Sequence, residues 1–83
     1  MKIEELAKIV YPLVSILEST EAKRDVVESI IEKLYPDSGW GLFPKPPLVQ
    51  IWEELLEISQ YDEAFEDAAD PVIDGYDGAL ENL

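Results

Sequence analysis

The side chains that could do chemistry in this chain are carboxylates, and their spacing is helical. Glu53 and Glu57, and again Glu63 and Asp67, stand four residues apart, so each pair would lie one turn apart on a helix face, as an acid and a base could. Such a pair works only if an apolar pocket raises one of the two pKa values, and 83 residues leave little room for a pocket beside the core. The chain has no histidine and no cysteine, which removes the usual general base near neutral pH, the thiol nucleophile and the commonest transition-metal ligands. The expectation is a protein that is no enzyme and needs no cofactor.

A second carboxylate pattern lies near the C-terminus. Counted from Asp70, acids fall at positions one, five and twelve of a calcium loop as Asp70, Asp74 and Glu81, with Gly75 at position six. Position three is Val72, which offers no oxygen ligand, and two residues follow Glu81 where a second helix should begin. No metal site is expected there. "PKPP", residues 44 to 47, satisfies the P-x-x-P pattern read by SH3-type domains, but a stiff connector between two helices accounts for the same prolines.

Charge is the sharper signal. The net charge is −13, and residues 1 to 45 hold all six Lys and Arg against eight acids, whereas residues 46 to 83 hold eleven acids and no base. A field of that sign repels nucleic acid and anionic membranes and favours a partner protein with a basic face, self-association remaining open. The N-terminus goes straight into a charged amphipathic pattern, and no apolar run reaches signal-peptide or membrane-spanning length, so a cytoplasmic protein or an excised domain is expected.

These side chains need elements to hold them. In "KIEELAKIVYPLVSILE" the apolar positions Ile3, Leu6, Val10, Leu13 and Leu17 advance by threes and fours, with Ala7 and Val14 widening the stripe, and Pro12 predicts a kink or break near Tyr11. Ser19-Thr20 can cap a second helix with the stripe Ala22, Val26, Val27, Ile30, Ile31 and Leu34, with Lys23 among its water-side residues; Pro36 ends it near Tyr35. The first two helices are expected to pair as an antiparallel hairpin. Pro47 suits the first turn of a third helix, buried through Leu48, Ile51, Trp52, Leu55, Leu56 and Ile58, with Glu53, Glu54 and Glu57 outward. That helix either runs on through Phe65 and Ala69 or breaks near Ser59, with Asp62 capping a fourth. From Asp70-Pro71 two Asp-Gly signals predict an irregular, flexible acidic tail. Between the second and third helices, "YPDSGWGLFPKPP" carries Trp40 and Phe43, which either plug the core or anchor a partner.

With the helices placed, "LAKIVYPLVSILESTEAKRDVVESII", the "GWG" turn and "LVQIWEELLEI" resemble, over residues 3 to 60, the effector-associated or death-like adaptor domains of bacterial defence proteins. That resemblance implies an adaptor that recruits a protease, nuclease or other effector. The segment "YPDSGWGLFPKPPLVQIWEEL" is similar to the proline- and tyrosine-rich turn and Trp-bearing helix of colicin-type nuclease immunity proteins, which implies an acidic inhibitor. No binding residues carry over from it.

The expected fold is therefore all-α, a small bundle of three to five helices over residues 1 to 69, with a Gly/Pro-rich turn and an acidic tail over residues 70 to 83. The expected function is protein binding, by an adaptor-type module of a bacterial defence or signalling system or by an acidic inhibitor of a nucleic-acid-handling protein. The candidate partner-binding residues are Trp40 and Phe43, with Glu53, Glu54, Glu57, Asp62, Glu63, Glu66 and Asp67 on the acidic side.

Overall fold

The computed structural model describes residues 2 to 36 and 45 to 82. Four α-helices account for the regular structure among them, α1 (Ile3–Ser15), α2 (Thr20–Leu34), α3 (Pro47–Ile58) and α4 (Glu63–Glu81), and the fold is a small all-α bundle. Trp40 and Phe43 lie outside the described residues.

The helix starts follow local chemistry. Ser19 caps α2 by accepting a hydrogen bond from the Ala22 amide at 3.2 Å, and Glu21 sits in the first turn, where the helix dipole favours an anion. Pro47 occupies the first turn of α3, where its missing N–H costs nothing. Asp62 caps α4 through its Oδ2, which accepts from the Ala64 amide at 3.2 Å. Tyr35, just before Pro36, ends α2 as expected.

The open choice between residues 58 and 63 resolves as a break. The Tyr61 amide donates to the Leu56 carbonyl at 2.8 Å and the Gln60 amide to the Glu57 carbonyl at 3.1 Å, the paired bonds of a Schellman ending. Gln60 and Tyr61 both stand in the left-handed region, at φ 56° and 59°. Glycine is the usual residue at the first of these positions, and its absence is why the sequence carried no stop signal there.

Two prolines at which a break was expected, at Pro12 as the alternative to a kink, leave their helices unbroken. Pro12 lies inside α1 and Pro71 inside α4. Each removes one backbone bond, to Lys8 and Asp67 respectively, but core residues grip the helix on both sides of it. Val10 and Val14 are buried around Pro12; Ala68 and Ala69 are buried before Pro71, while Val72 and Ile73 pack against the core after it. The turn reading of residues 70 to 81 is thus corrected: α4 crosses the expected boundary at residue 69 and continues through both Asp-Gly pairs to Glu81. Packing outweighs the turn signals because Val72, Ile73, Tyr76 and Leu80 continue the three-and-four spacing begun by Phe65, Ala68 and Ala69.

The helices pack in a ring, α1 on α3, α3 on α4, α4 on α2 and α2 on α1, so the expected α1–α2 hairpin contact is secondary to that of α1 with α3. No Cα of α1 comes within 8 Å of one in α4, which places these two helices on a diagonal of the bundle. The Tyr11 and Phe65 rings stack across that diagonal, 5.2 Å between centroids. Trp52, Ile51 and Leu55 of α3 are fully buried at the centre, and Val49 joins the core although the expected stripe did not include it.

Three other side chains depart from their expected positions. Leu13 and Leu34 were assigned to core stripes and are exposed; Tyr11 takes the inward flank of α1 instead of Leu13. Lys23, assigned to the water side, is 3% exposed. Its amine donates to the Leu17 carbonyl in the α1–α2 connection and stands 5.8 Å from the centroid of the Phe65 ring. A lysine tolerates this because its methylene stem is apolar and both the carbonyl and the ring face attract its charge.

Candidate functional site: an acidic helical edge

The carboxylates expected to form one acidic face separate into two groups. On α3, Glu53 and Glu54 are engaged by their surroundings. Glu53 accepts from the Lys45 amine with both carboxylate oxygens, at 3.0 and 3.1 Å, and Lys45 also stands 5.9 Å from the centroid of the Tyr76 ring of α4. The hydrogen bond to Glu53 raises the Lys45 pKa above its ordinary value. Glu54 is half-buried; desolvation, then the neighbouring charges of Glu57, Glu4 and Glu53, push its carboxyl above the ordinary glutamate value, with Lys8 opposing. Glu57 is exposed on the same helix.

Glu53 and Glu54 border an open cleft of about 610 Å³ whose rim also includes Lys2, Glu4, Tyr35, Lys45 and Gln50. Both signs of charge meet there, and Lys45 is already paired, so the cleft is no simple cation site. Among the described residues no three carboxylates stand close enough together to hold a metal ion. The twelve positions of the calcium-loop pattern are helical, which is incompatible with the loop that such a site requires.

The second group lies on α4, and it extends beyond the residues singled out from the sequence. Asp62 is occupied as the N-cap, and Glu66 is half-buried on a flank. Glu63 and Asp67 are exposed, and they begin a row that continues with Asp70, Asp74, Asp77 and Glu81. The steps are four, three, four, three and four residues, and all six are exposed on the side of α4 opposite Phe65, Ala68, Ala69 and Val72. From Glu63 to Glu81 the row spans about 27 Å, with neighbours roughly 5 Å apart along the axis. Asp70, Asp74, Asp77 and Glu81 were missed as site residues because their segment read as a tail. Their three-and-four spacing, in phase with Glu63 and Asp67, was the signal that could have found them.

No family model matches the chain, and no curated protein or solved structure matches it at a significant level.

Proposed function

We propose that this is a non-catalytic protein-interaction domain of adaptor type, which binds a partner with a basic face through the outer edge of α4. The observation that carries the reading is the six-carboxylate row on one helix, with no base interspersed. Like charges three and four residues apart destabilise a helix by about 0.2–0.5 kcal/mol per pair, and no basic residue in the last turn offsets the dipole. A basic partner relieves both costs on binding, and the row's field speeds its approach.

The sign of that field disfavours nucleic acid and anionic membrane surfaces as direct partners. No described helix is long and apolar enough to cross a membrane. The reading places the domain in the cytoplasm, within a bacterial defence or signalling system of the kind the adaptor resemblance implies. The linear order of the carboxylates also favours a second reading, an inhibitor that occupies the nucleic-acid groove of a nuclease. Charge density weighs against it: one charge per roughly 5 Å is sparser than the ~3.4 Å of a single DNA strand and far sparser than the ~1.7 Å of a duplex.

The test compares the wild-type chain with a variant carrying Asp67→Asn, Asp70→Asn, Asp74→Asn and Asp77→Asn as baits for proteins from the native host. The expected result is a basic protein held by the first and not by the second. Equal capture by both, or capture of no basic protein, contradicts the proposal. A captured nuclease whose activity the chain blocks supports the inhibitor reading over the adaptor one.

A further inference from the structure

Exposed large apolar side chains are few among the described residues, and three of the five lie on α1 or at its C-cap: Ile9 at 53% and Leu13 at 53% exposure on the helix, and Ile16 at 75% as the capping residue that follows it. With Leu6, buried at the inner edge of the row, they advance by three, four and three residues, the alternation that lets one helix pack along another at a narrow seam. Tyr11, Val10 and Val14 hold the opposite flank of α1 in the core, so the seam cannot turn inward without emptying it.

Charge selects what can cover this surface. The chain carries −13, and eleven of its nineteen acids follow residue 45, six of them on the outer edge of α4. A second copy approaching that edge meets like charge. α1 sits diagonally across the bundle, and residues 2 to 18, which take in the whole seam, carry Lys2 and Lys8 against Glu4, Glu5 and Glu18, a single net negative charge. The outer flank of α1 is therefore where two copies can meet with least repulsion, and there they find apolar side chains on both sides.

We propose that the chain forms a symmetric dimer through the Ile9–Leu13–Ile16 seam, α1 against α1. In this dimer the two acidic α4 edges lie on the outside, so one assembly presents two basic-partner sites; the dimer itself does not depend on what α4 binds. Three side chains per copy provide on the order of 300 Å² of apolar surface, well below the ~800 Å² per partner of a standard stable interface, so the affinity belongs in the micromolar range, about 10–100 μM. Because the residual repulsion between two acidic chains is screened by ions, the dimer tightens as salt is raised. Binding of a basic partner by α4 weakens under the same change.

Sedimentation equilibrium of the whole chain at about 0.05 M and about 0.5 M salt tests this, with circular dichroism confirming that each variant remains helical. The expected result is a reversible monomer–dimer equilibrium whose dissociation constant falls severalfold at the higher salt. The neutral double variant Leu13→Gln with Ile16→Gln is expected to stay monomeric with unchanged helicity. The α4 double variant Asp70→Asn with Asp74→Asn should dimerise at least as well as the wild type. A wild-type chain that is monomeric at ~500 μM in the higher salt overturns the proposal, as does a Leu13/Ile16 double variant that dimerises normally. Neither outcome bears on capture of a basic protein by α4, so the two readings fail separately.

Discussion

Trp52, Lys23 and Glu54 show how differently three buried or half-buried groups bear on stability. Trp52 has no exposed surface, and its indole N–H has no hydrogen-bond partner among the described residues. Trp52→Ala is expected to cost about 3–5 kcal/mol, enough to unfold most of a domain of this size. Trp52→Phe should cost clearly less, since it removes the unpaired N–H along with part of the ring; chemical denaturation compares the two. Lys23→Met keeps the buried stem but leaves the Leu17 carbonyl without its donor, for an expected loss of about 1–3 kcal/mol by the same measurement.

Glu54 acts in the opposite sense. Burial and three neighbouring glutamates raise its pKa above the ordinary 4.5, so the folded chain holds this proton more tightly than the unfolded one. Its contribution to stability therefore falls as pH climbs through the interval from 4.5 to the raised value, and stays low above it. Glu54→Gln should raise the melting temperature near pH 7 and have little effect near pH 4, where the wild-type side chain is already largely protonated. A variant no more stable than wild type at neutral pH would contradict this. The lysine was misplaced by its charge: sequence spacing cannot say that a carbonyl and a ring face from two other segments converge on one amine.

At the scale of elements, α4 is held by packing against poor local propensity. It carries Pro71, Gly75 and Gly78, and the two glycines have negative φ and nothing within 4 Å of where a Cβ would stand. Gly75→Ala and Gly78→Ala should each stabilise the protein by up to ~1 kcal/mol, read as higher melting temperatures in circular dichroism. If either substitution destabilises it, residues 70 to 81 are not helical in solution. Gln60→Gly should also stabilise, by removing the left-handed strain at the end of α3.

The sequence was legible wherever one local signal dominated, as with Ser19 before α2, Pro47 opening α3 and Asp62 opening α4. It misled wherever local and tertiary forces disagreed. Pro12 argues for a kink or break and the two Asp-Gly pairs for turns, and what keeps the helices continuous is tertiary: Val10 and Val14 are buried on either side of Pro12, and half-buried Val72, Ile73, Tyr76 and Leu80 hold the segment that carries the Asp-Gly pairs. The acidic edge was half legible for that reason, since Glu63 and Asp67 fell on a confident helix while Asp70, Asp74, Asp77 and Glu81 fell past an apparent stop.

For the molecule as a whole, the diagonal between α1 and α4 separates two kinds of surface. The α4 edge concentrates negative charge, and the α1 flank carries less of it and three exposed aliphatic side chains. Composition revealed the asymmetry between the two halves of the sequence, but not that folding would place α1 and α4 on opposite sides of the core. The most direct test of the acidic-edge account is the association rate constant of the captured basic partner, measured at several salt concentrations for wild type and for the variant with Asp67→Asn, Asp70→Asn, Asp74→Asn and Asp77→Asn. The account predicts a wild-type rate that falls steeply between about 0.05 and 0.5 M salt, and a variant rate at least ~10-fold lower at the low end with a flattened dependence. Identical rates and identical salt slopes for the two chains would contradict it.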